Sequence, residues 1–80
     1  MVSENSEEAQ KDQELRKLAA IAKDMQLAGK MRNQAIDQLG EMATHESMLV
    51  LLELAANDKL SIDERDRAIK RAREIIKKGR

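Results

Sequence analysis

The chain has 80 residues, a formal net charge of zero and 38% charged residues, and it contains no Pro, Cys or aromatic residue. Because Cys is absent, a disulfide framework and a thiolate metal site are excluded, and the missing aromatic rings exclude the base-stacking surfaces of single-stranded nucleic-acid binders. With only three Gly, this composition predicts one all-α domain with an aliphatic core. No apolar run approaches the roughly 20 residues that cross a bilayer, so we expect no membrane association and a cytoplasmic location.

The first predicted helix follows a short lead-in. Residues 1–6 are predicted to be flexible, and residues 7–80 to form a single helical domain. From about residue 6 to residue 25 the apolar residues recur at three- and four-residue steps, which predicts an amphipathic helix. Its predicted buried face consists of Leu15, Leu18, Ala19, Ala22 and Met25. The segment LAGK (residues 27–30) interrupts this pattern, and Gly29 is the predicted end of the helix.

The second and third helices are separated by a short polar segment. The second is predicted over about residues 31–42, and its buried face consists of Met31, Ala35, Ile36, Leu39 and Met42. The third starts near Thr44, where the hydroxyl groups of Thr44 and Ser47 are predicted caps. It contains MLVLLELAA (residues 48–56), which is apolar on nearly every side. We therefore expect the third helix to be central and covered on both flanks.

The fourth helix begins with a recognisable cap. The segment SIDE (residues 61–64) has the spacing of a capping box, in which Ser61 and Glu64 satisfy each other's backbone N–H groups. The predicted buried face consists of Ala68, Ile69, Ala72, Ile75 and Ile76, and the helix is predicted to end at Gly79. The side chains expected to be most important in the core are Leu39, Leu51, Leu54, Ile69 and Ile76.

The sequence repeats itself at an offset of 33 residues. Residues 18–42 align without gaps to residues 51–75, so that Leu18 corresponds to Leu51 and Arg32 to Arg65. Each copy reads as helix, turn, helix, with units at about residues 13–43 and 44–78. A repeat of this period is typical of helical solenoids, and it predicts four helices arranged as two stacked antiparallel hairpins. A plain four-helix bundle is the alternative architecture.

The repeated segment resembles a short HEAT-type unit. Such units carry R-x-x-A-[AIV]-x-x-L-G on their second helix, and the matching residues here are Arg32, Ala35, Ile36, Leu39 and Gly40. The first helix of the next unit is matched by Leu51, Leu54 and Ala55. The family's first-helix Pro is missing, and the second copy has Ala72 in place of Leu and Arg73 in place of Gly. The resemblance implies a two-hairpin solenoid that binds another protein, whereas a tetratricopeptide repeat is rejected because its aromatic residues have no counterpart.

No residue pattern indicates catalysis or a cofactor. His45 is the only histidine, and with no second His and no Cys the nearby Glu41 and Glu46 do not predict a metal site. Ser47 and Ser61 stand at predicted helix starts, where capping accounts for them. No Gly-rich phosphate loop occurs. The sequence therefore predicts neither an enzyme nor a small-molecule binder.

The predicted binding surface uses the second helix of each unit. If these helices lie side by side, two rows become neighbours: Gln34, Asp37, Gln38 and Glu41 on one, and Arg67, Lys70, Arg71 and Glu74 on the other. We expect the rows to bind another protein, or a second copy of this chain. The alternative partner is a nucleic acid held by the basic last helix. A third possibility is an ordinary solvated surface, with Asp37 paired to Lys70.

Overall fold

The computed structural model describes residues 7–79, with side chains from residue 10 onward. Within that range the chain forms α1 (Glu7–Ala22), α2 (Gly29–Met42), α3 (His45–Ala55) and α4 (Ile62–Lys78). Helix α1 packs against α2, and α3 packs against α4, which gives two hairpins. Helix α2 also contacts α3 and α4, so the two hairpins are stacked. The predicted all-α fold of four helices is confirmed, while the predictions for residues 1–6 and for residue 80 lie outside the described residues.

The two hairpin turns have the same local structure. In the first turn, Asp24 Oδ1 accepts a hydrogen bond from the backbone N–H of Gln26 at 2.9 Å. In the second, Asn57 Oδ1 accepts one from the backbone N–H of Lys59 at 3.0 Å. The backbone N–H groups of Asp24 and Asn57 each donate to the carbonyl three residues earlier, at 3.2 and 3.1 Å. Since Asp and Asn both form such turns readily, the sequence repeat continues through the turn without a gap.

The end of α1 differs from the prediction. Helix α1 ends at Ala22, three residues before the predicted end at Met25, and Gly29 is the first residue of α2 rather than the end of α1. The Asp24 turn ends α1 before the apolar pattern does. Met25 therefore lies in the turn and is 47% exposed, and Met31, in the first turn of α2, is 45% exposed. The predicted burial of both methionines is wrong.

The core lies where the hairpins meet. It consists of Leu18, Ala22, Ala35, Ile36, Leu39, Leu51, Leu54, Leu60, Ala68, Ala72 and Ile75. The predicted burial of Leu39, Leu51 and Leu54 is confirmed. Ile69 is only partly buried and Ile76 is 49% exposed, so the predictions for these two are wrong. Because α4 turns its alanines and Ile75 towards the core, Ile69 and Ile76 lie at the side of the helix.

The central position predicted for α3 is shared with α2. Each of these helices contacts all three others, whereas α1 and α4 share no contact within residues 7–79. Helix α3 also has a solvent-facing side, on which Leu49 is 45% exposed and Glu53 is exposed. The molecule measures 46 × 34 × 16 Å along its principal axes. It is thus a flat arrangement about two helices thick.

Helices α3 and α4 both begin with reciprocal caps, of which the one at α4 was predicted as reciprocal and the one at α3 only as hydroxyl caps. Thr44 Oγ1 accepts from the Ser47 N–H, and Ser47 Oγ accepts from the Thr44 N–H, both at 3.0 Å. At α4, Ser61 Oγ accepts from the Glu64 N–H, and Glu64 Oε1 accepts from the Ser61 N–H, both at 3.1 Å. Helix α2 follows Ala28, which corresponds to Ser61 in the repeat and makes no side-chain cap. The first unit therefore lacks a stabilising feature that the second has.

Candidate functional site

An open groove of about 610 Å³ follows the contact between α2 and α4. Five of the eight residues predicted for the binding surface line it: Asp37, Arg67, Lys70, Arg71 and Glu74. The remaining three, Gln34, Gln38 and Glu41, are exposed on α2 but do not line the groove. Asn33, Asp63 and Asp66 complete the lining, and the sequence prediction did not include them. The second helices of the two units thus lie side by side, as the prediction required.

Gly40 allows α4 to lie close to α2 at this groove. A Cβ atom at residue 40 would lie 2.8 Å from Arg71 Nε and 3.1 Å from both Cβ and Cδ of Arg71. The side chain of Arg71 therefore lies against the α2 backbone, and its Nη2 donates to the carbonyl oxygen of Asp37 at 3.2 Å. This close approach explains why residue 40, the last position of the R-x-x-A-[AIV]-x-x-L-G motif, is a glycine.

Asp37 connects the two rows of the groove. Arg67 Nη1 donates to both carboxylate oxygens of Asp37, at 2.9 and 3.0 Å. Arg71 Nε lies 3.4 Å from Asp37 Oδ1, without the alignment of a hydrogen bond, and Arg71 Nη1 donates to Glu74 Oε1 at 2.9 Å. The pairing of Asp37 with Lys70, which belonged to the alternative of a solvated surface, does not occur among the described residues. Lys70 Nζ instead lies 3.5 Å from Asp66 Oδ2, one helical turn away.

The groove carries both signs of charge. Its bases are Arg67, Lys70 and Arg71, and its acids are Asp37, Asp63, Asp66 and Glu74. Each of the three bases has a carboxylate partner within the groove. The remaining basic residues of the last turns of α4, Arg73, Lys77 and Lys78, are exposed and do not line it. The bases of the last helix are therefore divided between the groove and the exposed end of α4, and the groove itself is not a cationic surface.

A buried ion pair lies beside the groove and was not predicted from the sequence. Arg32 donates to Glu64 Oε2 from Nη2 at 2.8 Å and from Nε at 3.1 Å. The two side chains are only 11% and 6% exposed. Arg32 Nη1 also donates to the carbonyl oxygens of Asp24 and Leu27, so the same guanidinium holds the first turn. In the sequence, Arg32 belongs to the repeated motif and Glu64 to the capping box of α4. These two features were the only sequence signal that could have suggested the pair.

Two effects act on the pKa of Glu64. Burial raises it, because a charged carboxylate is less well solvated away from water. The hydrogen bonds donated by Arg32 and by the Ser61 N–H, together with the charge of Arg32, lower it. The second effect is larger, and the pKa of Glu64 lies below its ordinary value. Glu64 is therefore ionised at neutral pH and forms a salt bridge with Arg32.

Within residues 7–79 no group of three or more His, Cys, Asp or Glu side chains is arranged to hold a metal ion. No helix in this range is long and apolar enough to cross a bilayer. His45, the only histidine, is exposed at the first turn of α3. The α2–α4 groove is thus the site at which the predicted binding residues come together.

Comparisons with protein-family models, with curated proteins and with solved structures gave no match for this chain. Its function is therefore argued from the chemistry of its own surfaces. The groove holds charges of both signs along two packed helices. Such a surface can form salt bridges and hydrogen bonds with a ligand that carries both amino and carboxylate groups.

Proposed function

We propose that this chain is a small helical-repeat protein–protein interaction module, acting as a scaffold, adaptor or regulatory subunit without catalysis of its own. Its binding surface is the α2–α4 groove. The observation that carries this proposal is the charge content of the groove, which has three bases and four acids. A polypeptide can complement both signs, whereas a phosphate backbone carries only negative charge and would be repelled by the four carboxylates.

The internal ion pairs also support binding of a folded or extended protein segment. Asp37 and Arg71 are half-buried and fixed by contacts between α2 and α4, so the groove needs little ordering when a ligand binds. Lys70 and Glu74 are more exposed and can exchange their present partners for those of a ligand. The resemblance to HEAT-type units and the expected cytoplasmic location agree with this role.

The alternative is electrostatic binding of a nucleic acid by the last turns of α4. Arg73, Lys77 and Lys78 are exposed there, outside the groove. Such binding would depend on counterion release, so its affinity would fall steeply as the salt concentration rises. A protein ligand of the groove would bind with a weaker dependence on salt, since attractive and repulsive charges partly balance. The two proposals therefore use different residues and differ in salt dependence.

The test uses site-specific photo-cross-linking in the intact chain. A photoreactive amino acid at position 70 should capture a protein partner, while the same residue at position 17, which is exposed on α1, should not. The partner identified in this way is then purified, and its affinity is measured for Lys70→Glu and for the matched control Lys17→Glu. We expect Lys70→Glu to weaken binding about tenfold or more and Lys17→Glu to leave it unchanged.

Asp37 and Arg71 are retained in this experiment because they connect α2 to α4, and their replacement would disturb folding as well as binding. Equal capture at positions 70 and 17 would contradict the proposal. So would capture of nucleic acid by the probe at position 70, or an unchanged affinity in Lys70→Glu. Binding of a DNA duplex that disappears between about 50 and 200 mM salt and requires Lys77 would establish the alternative.

A further inference from the structure

A row of isoleucines is uncovered on a different face of α4 from the groove. Ile62, Ile69 and Ile76 follow one another at steps of seven residues, so they lie along one line of the helix. Ile62 is 79% exposed and Ile76 is 49% exposed, while Ile69 is partly buried. At about 100° per residue, the groove residues of α4 lie from about a sixth to nearly half of a turn around the helix axis from this isoleucine row, and Asp66 is the nearest of them. The row is therefore a second candidate surface, with its own chemistry.

The corresponding face of α2 is covered by α4. Ile36, which corresponds to Ile69, is fully buried. On either side of it, Gly29 and Gly40 are close to Glu64 and Arg71 of α4. The repeat thus shows that this face of a second helix is a packing face in the first unit.

A third hairpin could not cover α4 in the same way. The two glycines that allow close approach in α2 are replaced at the corresponding positions of α4 by Ile62 and Arg73. Their side chains would occupy the space that Gly29 and Gly40 leave open. A helix packed on the isoleucine row would therefore contact it through interlocking side chains, at a larger distance between helix axes.

The row includes a crevice shaped for such packing. A space of about 390 Å³ is lined by Ile62, Arg65, Asp66 and Ile69 of α4, together with Ala55 at the end of α3. The four α4 residues have the spacing i, i+3, i+4, i+7. These are the positions that surround each inserted side chain in coiled-coil packing. The crevice therefore fits one large aliphatic side chain from a partner helix.

We propose that the partner helix is α4 of a second copy of this chain, packed antiparallel. Ile76 lies seven residues beyond Ile69 on the same line of the helix and is available to a neighbouring chain. In an antiparallel pair, Ile76 of one copy enters the crevice of the other, and the two-fold axis repeats this contact.

The charges beside the row favour the same arrangement. When Ile76 of the second copy occupies the crevice, Asp66 of the first copy lies next to Arg73 and Lys77 of the second. The two-fold axis produces this contact twice. In a parallel pair the two copies of Asp66 would lie on opposite edges of the seam, each away from Arg73 and Lys77 of the other copy. The antiparallel arrangement therefore brings together opposite charges that the parallel arrangement keeps apart.

The resulting dimer is weak and leaves the groove open. Three isoleucines per copy are less apolar surface than permanent dimers bury, so we expect a dissociation constant on the order of tens of micromolar. Asp66 is shared by the groove and the crevice, whereas the other groove residues of α4 line the groove alone, so the dimer leaves most of the groove accessible. The inference goes beyond the proposed function and does not depend on it.

Sedimentation equilibrium of the full chain between about 5 μM and 1 mM tests the association. We expect Ile62→Glu to raise the dissociation constant at least tenfold, because a carboxylate would enter the apolar seam. Leu49→Glu is the matched control, since Leu49 is an exposed aliphatic residue of α3 outside the row, and it should have no effect. Asp66→Arg should weaken association, and adding Arg73→Asp to it should restore association.

The orientation is tested by disulfide cross-linking, since the natural chain has no Cys. A mixture of Arg65→Cys and Ile76→Cys chains should form the mixed disulfide in preference to either homodimer. A monomer at 1 mM, unchanged association in Ile62→Glu, or preferential Ile76→Cys homodimers would each overturn the proposal. A monomer that instead binds an acidic amphipathic peptide at Ile62 would assign the row to another protein.

Discussion

Arg32 and Arg65 occupy equivalent positions in the two units. Of these two residues, only Arg32 forms a salt bridge within residues 7–79. Arg32 donates two hydrogen bonds to Glu64 of the other hairpin. Arg65 Nε donates instead to the backbone carbonyl of Ala55, at 3.2 Å. The same residue of the repeat therefore joins two hairpins in one copy and holds a single hairpin together in the other.

This difference predicts unequal contributions to stability. Arg32→Ala should lower the free energy of unfolding by about 3–5 kcal/mol, because it leaves the buried carboxylate of Glu64 without its partner. Arg65→Ala, the matched control, should lower it by about 1 kcal/mol, the usual contribution of one hydrogen bond to a carbonyl. Urea unfolding followed by circular dichroism measures both. Equal losses of stability in the two variants would show that the Arg32–Glu64 ion pair contributes no more than the single hydrogen bond of Arg65.

The lowered pKa of Glu64 predicts a particular pH dependence. A carboxyl group whose pKa is lower in the folded than in the unfolded chain, where it is about 4.3, stabilises the fold above that value. This stabilisation is lost as the pH falls through the folded pKa. Wild type should therefore lose more stability than Glu64→Gln on acidification from about pH 5 to about pH 2. If stability falls equally with pH in the two proteins, Glu64 has the same pKa in the folded and the unfolded chain.

The core predicts a contrast within one helix. Leu51 is fully buried and Leu49 is 45% exposed, although they stand two residues apart in α3. Leu51→Ala should lower stability by about 2–5 kcal/mol, since it leaves a cavity between the hairpins. Leu49→Ala should change it by less than about 1 kcal/mol. Thermal unfolding of the two variants distinguishes them, and similar melting temperatures would contradict the described orientation of α3.

The missing cap of α2 predicts a stabilising substitution. Ala28 precedes α2 in an extended conformation, with ψ near 149°, and corresponds to the capping residue Ser61, whose ψ is 163°. Ala28→Ser should therefore raise stability by about 0.5–1 kcal/mol, because its hydroxyl oxygen can accept a hydrogen bond from a backbone N–H in the first turn of α2. The reverse change, Ser61→Ala, should lower stability by about 1 kcal/mol. Chemical denaturation measures both, and a loss of stability in Ala28→Ser would contradict the equivalence of the two starts.

The close contact at Gly40 predicts that a better helix former is harmful there. Alanine is favoured over glycine within a helix by about 1 kcal/mol. At residue 40, however, the added methyl group would meet Arg71 at 2.8–3.1 Å. We expect Gly40→Ala to lower stability by about 1–2 kcal/mol, and Gly40→Ala with Arg71→Ala to recover part of that loss, because the obstructing side chain is gone. A more stable single variant would show that Arg71 moves aside freely.

Periodicity and capping patterns were enough to predict the four helices and much of the core. Leu39, Leu51 and Leu54 lie on the predicted apolar face of their helices wherever the edges of that face are drawn. The burial of Ile76 was predicted wrongly, because an isoleucine at the edge of an apolar stripe is buried only when a neighbouring helix reaches it. Periodicity identifies the stripe but does not locate that neighbour.

The candidate site was predicted as two rows, and the structure adds how they are connected. The offset of 33 residues correctly placed α2 beside α4, but it paired residues at equal height, such as Asp37 and Lys70. The helices are displaced relative to each other, so Asp37 contacts Arg67 and Arg71 instead. The buried pair of Arg32 with Glu64 was missed for the same reason, since a contact between units depends on the displacement and not on the repeat.

The lack of contact between α1 and α4 within the described residues makes the fold an open series of neighbours rather than a closed ring. Local unfolding of α1 can therefore leave the other three helices assembled, and with them both surfaces of α4. Conversely, a ligand bound to α4 can protect α1 from opening only through α2 and α3. Substitutions at the outer edge of α1 can therefore leave the contacts between α2 and α4 unchanged.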